Sequence, residues 1–332
     1  MKDCSILVTG ACGQLGSVLV PALRKRYGIR NVVASDLRLC PQITGPFELL
    51  DATDLDAMTT IVRKYRIKRI FHLAAILSAS GEAKPVRTYQ TNMNAWLNVL
   101  EVARHEGVER VFYPSSIAVF GPAAPLDKTP NDVCLDPLTA YGISKASGEN
   151  WGQYYFKRYG LDVRSLRYPG VIGHQSDPGG GTTDYAVDIF HAAAQGKRFT
   201  CFLEADEALP MIYIDDAIRS TLEIMEAPAD RIRSRTSYNL SGASFTPAQL
   251  AEAIRKVRPD FTIDYRPDYR QAIAAGWPNS INDRPAREDW GWQPDFDLER
   301  IVQTMIEALD VRYNGSLNLQ PGTNLTSLLP TG

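Results

Sequence analysis

Short apolar runs alternate with amphipathic helical stretches through the first half of the chain. "CSILVTG" reads as a strand, and "QLGSVLVPALRKRYG" follows with Leu15, Val18, Leu19, Ala22 and Leu23 on one helical face, ending at Gly28. "NVVASD", "PFELLDATD", "IKRIFHLAA" and "VERVFYPSS" read as further strands, separated by helical segments such as "TYQTNMNAWLNVLEVARHEG". "LDVRSLRYPGVIG" repeats the strand pattern. Alternation of this kind predicts βαβ units, hence an α/β fold with a doubly wound parallel sheet and helices on both faces.

After Gly173 the texture changes to longer loops richer in glycine and proline. "ALPMIYIDDAIRSTLEIM" and "TSYNLSGASFTPAQLAEAIRKV" each read as strand passing into helix, the second capped by Thr246 or Ser244 with Pro247 in its first turn. "DLERIVQTMIEAL" reads as a last amphipathic helix. The expected organisation is a nucleotide-binding domain over 1–173, to which elements around 210–242 return, and a smaller α/β region over 174–312 that mainly binds substrate. Residues 313–332 lack periodicity and are expected to be a disordered tail, in which the N-x-S/T triplets at Asn314 and Asn324 read as chance matches.

The 332 residues are 44% hydrophobic and 22% charged, ordinary values for a globular protein, and the net charge of −2 offers no basic face for nucleic acid. No apolar run approaches a membrane span, and "MKDCSILVTG" lacks the core of a secretory signal. A cytoplasmic protein is expected, or a mitochondrial-matrix one if a transit peptide has been removed. The five cysteines are odd in number and show no C-x-x-C spacing, so free buried thiols are expected rather than disulfides or a zinc site. The four histidines form no ligand motif, so no metal is expected.

"VTGACGQLG" spaces Gly10, Gly13 and Gly16 between the first strand and the first helix. Such glycines let backbone approach a pyrophosphate at a helix N-terminus. Asp36 ends the second strand 26 positions beyond Gly10, where a carboxylate accepts from the adenosine ribose hydroxyls and repels a 2′-phosphate. NAD is therefore favoured over NADP, although Arg38 stands close enough to accommodate a 2′-phosphate. The plain alternative is a structural turn beside a surface aspartate.

"TAYGISKASGE" places Tyr141 and Lys145 one helical turn apart on the same face. A tyrosine of ordinary pKa, about 10, is a poor base near neutrality, and an adjacent ammonium favours its phenolate. Ser115 and Ser116 end a strand in "YPSSIAVFG", at the carboxyl side where doubly wound sheets place ligands. A serine hydroxyl there is suited to hold a substrate oxygen beside the tyrosine.

Taken in order, "TGACGQLG", Asp36, "HLAA", "PSS", "YGISK" and "RYPG" resemble the extended short-chain dehydrogenase/reductase superfamily, which is built on the Rossmann fold and contains the sugar-nucleotide epimerases. The resemblance spans about residues 4 to 312. It implies Tyr141 as catalytic base, Ser116 as the polarising hydroxyl, and Lys145 lowering the tyrosine pKa while holding the nicotinamide ribose. By the same matching Gly10, Gly13, Gln14 and Leu15 would hold the dinucleotide's phosphates. Asp51 and Ala52 would flank the adenine, Leu73, Ala74 and Ala75 would line the dinucleotide, and Tyr168 and Pro169 would lie by the nicotinamide. A homodimer through the helices around 88–107 and 139–159 is implied as well.

Within that superfamily, "AAILSASGE", "PSSIAVFGP", "DPGGGTTDYAVDIF", "LPMIYIDDAI", "YNLSGASFTP" and "WPNSINDRPAREDWGW" are similar to the short-chain-type L-threonine 3-dehydrogenases. Epimerases normally carry asparagine where Gly170 stands. The resemblance implies metal-free, NAD-dependent oxidation of L-threonine to 2-amino-3-oxobutanoate, which loses CO₂ or passes to a CoA-dependent ligase. The glycine run, read physically, is a mobile loop feeding a helix, with backbone N–H groups and the hydroxyls of Thr182 and Thr183 available for a carboxylate. Ser78, after the fourth strand, is a further candidate for the amino or carboxyl group. The competing readings are a sugar-nucleotide epimerase or dehydratase and a non-catalytic NAD-binding scaffold.

Overall fold

The computed structural model describes residues 5–177 and 179–315. In chain order the elements are β1 (Ile6–Thr9), α1 (Gln14–Tyr27), β2 (Val32–Asp36), β3 (Phe47–Leu49), α2 (Leu55–Tyr65), β4 (Arg69–His72), α3 (Ser78–Gly81), α4 (Pro85–His105) and β5 (Arg110–Ser116). Next come α5 (Ala140–Tyr159), β6 (Asp162–Tyr168), β7 (Gly170–Ile172), α6 (Tyr185–Ala194), β8 (Phe199–Cys201), β9 (Leu209–Tyr213) and α7 (Ile214–Glu226). The chain continues through β10 (Tyr238–Asn239), β11 (Ala243–Phe245), α8 (Pro247–Val257), β12 (Ile263–Tyr265), α9 (Tyr269–Ala274), α10 (Arg284–Trp290) and α11 (Leu298–Asn314).

Seven strands form one parallel sheet in the order β10-β6-β5-β4-β1-β2-β3. The order reverses between β1 and β4, which opens a crevice at the carboxyl ends of those strands. Doubly wound sheets bind ligands at such a point. The strands read as unbroken apolar runs because helices cover both faces. Leu7, Val33, Ile70 and Val111 stand in register on one face, packed with Met58 from α2 and Trp96 and Val99 from α4. Val8, Ala34, Phe71 and Phe112 stand in register on the other, joined to Leu19 and Leu23 of α1 and to the C-terminal elements.

The helix ends follow from local chemistry. Gly28 closes α1 at φ 91, a conformation that costs glycine little. Thr246 and Gln249 form a capping box on α8, with Pro247 inside the first turn. Beyond β6 the chain leaves the main sheet: β7 pairs with β9, β9 with β11, and β8 with β12. It returns through α7, which packs on α1, β5 and β6, and through β10, which adds to the sheet edge beside β6. Among the described residues no helix is long and apolar enough to cross a membrane.

Two expectations need correction or bounding. Cys12 and Cys40 are joined in a disulfide, with Cα atoms 5.9 Å apart, where free thiols were expected. Parallel pairing of β1 with β2 brings the turn after one strand against the loop after the other, a proximity that a separation of 28 residues conceals. Cys201 is buried and free, Cys134 is exposed and free, and Cys4 lies outside the described residues. The helix α11 runs through Asn314. Residues 316–332, which hold most of the expected tail and Asn324, lie outside the described residues.

Candidate active site

Two adjoining clefts lie along the crevice and share Leu73 and Ala75. The first is lined by Gly10, Cys12, Gly13, Asp36, Arg38, Asp51, Ala52, Leu73, Ala74 and Ala75. Its floor has no room for side chains. A Cβ on Gly10, which stands at φ +71, would lie 2.6 Å from the Ala74 nitrogen, and one on Gly16 would lie 2.4 Å from the Gly10 oxygen. Asp36 Oδ2 accepts from the Cys12 nitrogen at 2.9 Å, so the carboxylate is fixed at the rim of the glycine turn. Asp51 Oδ1 is similarly oriented by the Thr53 nitrogen and hydroxyl, at 2.8 and 2.7 Å. A turn in which Gly10 and Gly16 admit no side chain, at a helix N-terminus and beside a fixed carboxylate, fits an adenine dinucleotide.

The second cleft gathers Gln14, Leu15, Ser78, Ser116, Tyr141, Lys145, Tyr168, Pro169, Thr182 and Thr183. Residues from six stretches of chain thus converge on one opening. Gln14 spans it, donating from Nε2 to the Val171 oxygen at 3.0 Å. Tyr168 contributes ring and backbone only, because its hydroxyl is turned into α7 against Thr221. Thr139 caps α5 by accepting from the Gly142 nitrogen at 3.0 Å, and Glu82 accepts from the Ala140 nitrogen at 2.8 Å. Together they fix the helical turn that carries Tyr141.

Burial pushes the Tyr141 hydroxyl up to about 12, against a smaller downward pull from its hydrogen bond with Ser116. The Lys145 ammonium donates to the Pro114 oxygen at 2.6 Å and lies against ring faces, 5.4 Å from the centroid of Tyr141 and 4.8 Å from that of Tyr113. Burial in turn pushes Lys145 down to about 7, opposed by the charge of Glu149. Desolvation is the largest effect on both groups.

The glycine loop also differs from expectation. Its backbone N–H groups at Gly180 and Gly181 are not free, since both donate to Asp184 Oδ2 at 2.8 Å. The hydroxyl of Thr182 lies 3.2 Å from that of Ser78, and the Ser80 nitrogen donates to the Gly180 oxygen at 3.3 Å, so the loop docks on α3. Among the residues lining this cleft that sequence reasoning missed are Asp184 and Trp277. Asp184 directly follows the threonines and precedes α6, a legible signal for a residue that organises a glycine turn. Trp277 arrives from far along the chain, before α10, and no local pattern marks it.

Residues 6–241 match the family model described as "NAD dependent epimerase/dehydratase family". A relative from Bos taurus named "L-threonine 3-dehydrogenase, mitochondrial" is 49% identical over 306 residues, covering 91% of this chain and 81% of the relative. The holo-form structure of an L-threonine dehydrogenase from Cupriavidus necator superposes with a TM-score of 0.91 at 54% identity, covering 92% of this chain and 99% of the other. An L-threonine dehydrogenase structure from Phytophthora infestans gives 0.90 at 46% identity, covering 93% and 99%. With a dinucleotide cradle and a convergent polar cleft at the switch point, the chain belongs to the NAD dependent epimerase/dehydratase family and is an enzyme that uses NAD.

Proposed function

We propose that this enzyme oxidises L-threonine at its β-hydroxyl to 2-amino-3-oxobutanoate. The observation that carries the proposal is the set of small polar groups beside the Ser116–Tyr141 pair: Ser78, Thr182, Thr183 and Asp184, with Trp277 on the wall. Such a set suits a short zwitterion. The hydroxyls of Ser78, Thr182 and Thr183 serve the substrate carboxylate, and the Asp184 carboxylate serves its ammonium. This assignment replaces the glycine N–H groups, which Asp184 already engages. Relatives named L-threonine dehydrogenase at 46–54% identity over most of the chain support the same reading.

Gly10, Gly13, Gln14 and Leu15 would hold the phosphates of NAD, Asp36 the adenosine ribose, Asp51 and Ala52 the adenine. Leu73, Ala74 and Ala75 would line the middle of the dinucleotide, Lys145 would hold the nicotinamide ribose, and Tyr168 and Pro169 would back the nicotinamide. When bound, NAD⁺ supplies the hydride acceptor. Tyr141 Oη takes the proton of the β-hydroxyl, and the Ser116 hydroxyl donates to the same oxygen as it becomes a carbonyl. Residues 174–312 would supply most of the substrate side, with residues around 210–242 returning to the cofactor side.

A sugar-nucleotide epimerase is disfavoured by Gly170. A Cβ there would lie 2.3 Å from Met211 Sδ and 2.8 Å from Thr183 Cβ, so the asparagine normal in those enzymes has no room. A homodimer is part of the proposal. Its support is the apolar stripe that α5 leaves exposed, Ile143, Trp151, Tyr154 and Tyr159, next to Val86 and Tyr89 of α4. The test of the activity is NADH formation from NAD⁺ across β-hydroxy amino acids and sugar nucleotides. L-Threonine should be the best substrate, and turnover of a UDP-hexose without any response to threonine would overturn the assignment.

A further inference from the structure

The end of β5 is held by one face of α5. Pro114 accepts from Lys145 Nζ at 2.6 Å, Ser115 Oγ donates to Glu149 Oε1 at 2.5 Å, and Ser116 lines the cleft with Tyr141. Tyr141, Lys145 and Glu149 stand at i, i+4 and i+8, so one helical stripe fixes the strand end that carries the polarising serine. Only the Ser115–Glu149 contact has no place in the chemistry already assigned.

Glu149 is deeply buried, and so is its partner. Oε1 accepts from Arg167 Nε at 2.9 Å and Oε2 from Arg167 Nη2 at 2.7 Å, with side-chain exposures of 3% for Arg167 and 0% for Glu149. Arg167 Nη1 donates onward to the Asn131 oxygen at 2.8 Å and to Asn239 Oδ1 at 3.1 Å, and the guanidinium lies 5.2 Å from the Phe120 ring centroid. A buried ion pair of this kind is rarely more stable than an apolar filling of the same volume. Stability alone gives little reason for a carboxylate one turn beyond the active-site lysine.

We propose that Glu149, backed by Arg167, is a positioning residue of the active site: the buried charge it presents to Lys145 and Ser115 holds the ammonium and the end of β5 in working geometry. This rests on the reading of Tyr141 as the base. The groups facing Lys145 are Tyr113 from β5, His72 from β4, and Tyr141 and Glu149 from its own helix. Burial drives His72 down to about 3, so it is neutral at working pH and offers Lys145 no charge. Glu149 also faces Tyr113 and Arg167, and Arg167 stands on the side of the carboxylate held by β6. Within this set Glu149 is the anion that favours the charged lysine. Without it Lys145 loses its proton at lower pH, so near neutrality less of the enzyme keeps the cation that favours the Tyr141 phenolate, and Tyr141 needs a higher pH to work as a base.

The single variant Glu149→Gln strands a buried guanidinium, so the test uses Glu149→Gln/Arg167→Met, which removes both charges and keeps volume. The pH profile of kcat/KM for threonine should move its rising limb upward by about one unit, a tenfold loss near neutrality, with NAD Kd within about threefold. A purely structural pair would lower melting temperature without moving that limb. Ser115→Ala, which keeps both charges, should lower kcat about fivefold at unchanged KM, the scale of one hydrogen bond. A folded double variant with the wild-type profile overturns the proposal; if that variant does not fold, wild-type kcat in Ser115→Ala overturns it. Tyr141→Phe separates the two failures. An active Tyr141→Phe enzyme removes the base assignment itself, whereas an inactive one beside unperturbed Glu149 and Ser115 variants removes only this inference.

Discussion

Tyr141 sits at the meeting of two opposed effects. Its hydroxyl stands at about 12 through burial, with Ser116 pulling the other way. A base with so high a pKa gains activity as pH rises, because the phenolate fraction grows tenfold per unit below the pKa. Oxidation rate should therefore climb from pH 7 toward 10, and a rate that fell over that range would contradict Tyr141 as base. Tyr141→Phe keeps the ring and its packing and removes only the oxygen. Turnover should drop by roughly 10²–10⁴-fold with NAD Kd nearly unchanged, and more than about a tenth of wild-type kcat would refute the role. Asp36 is held by the Cys12 nitrogen at the turn, so Asp36→Ala should narrow the preference for NAD over NADP. Equal wild-type use of both cofactors, compared by kcat/KM, would sink that reading.

The elements that position the site differ in how far the sequence revealed them. The glycine turn, β2 with Asp36, β5 with its serines and α5 with Tyr141 and Lys145 were all readable, because each is local: a strand period, a cap or one helical turn. What stayed hidden was contact between distant elements. The Cys12–Cys40 bond depends on β1 lying beside β2, and the Ser78–Thr182 contact depends on the glycine loop docking on α3. Desolvation was hidden too: burial raises Tyr141 and lowers Lys145, and the spacing carries no sign of it. The docked loop gives an element-scale prediction. Replacing Thr182 and Thr183 with valine should raise KM for threonine about tenfold or more and leave NAD Kd alone, since a hydrogen bond to a charged group contributes roughly 1.5–3 kcal/mol. Ser78→Ala and Thr182→Val should be non-additive in KM, because the two hydroxyls are 3.2 Å apart. Additive effects would show that they act on substrate independently.

At the scale of the whole molecule, two surfaces follow from one helix. The inner face of α5 carries Tyr141, Lys145 and Glu149, and its outer face exposes Ile143 at 45%, Trp151 at 39% and Tyr154 at 47%. If a second copy covers that face, sedimentation should report twice the 36.8 kDa chain mass, and Trp151→Glu with Tyr154→Glu should return it to one. A wild-type enzyme at the single-chain mass would remove the dimer from the account. Beneath both surfaces lies the central claim, that hydrogen leaves threonine Cβ for NAD⁺ while Tyr141 takes the hydroxyl proton. The most direct measurement is turnover of L-threonine deuterated at Cβ, followed by mass analysis of the reduced cofactor. The account predicts NADH carrying the deuterium, at a rate slowed by the heavier isotope whenever the transfer limits turnover. Unlabelled NADH, or no threonine-dependent NADH beside turnover of a sugar nucleotide, would contradict it.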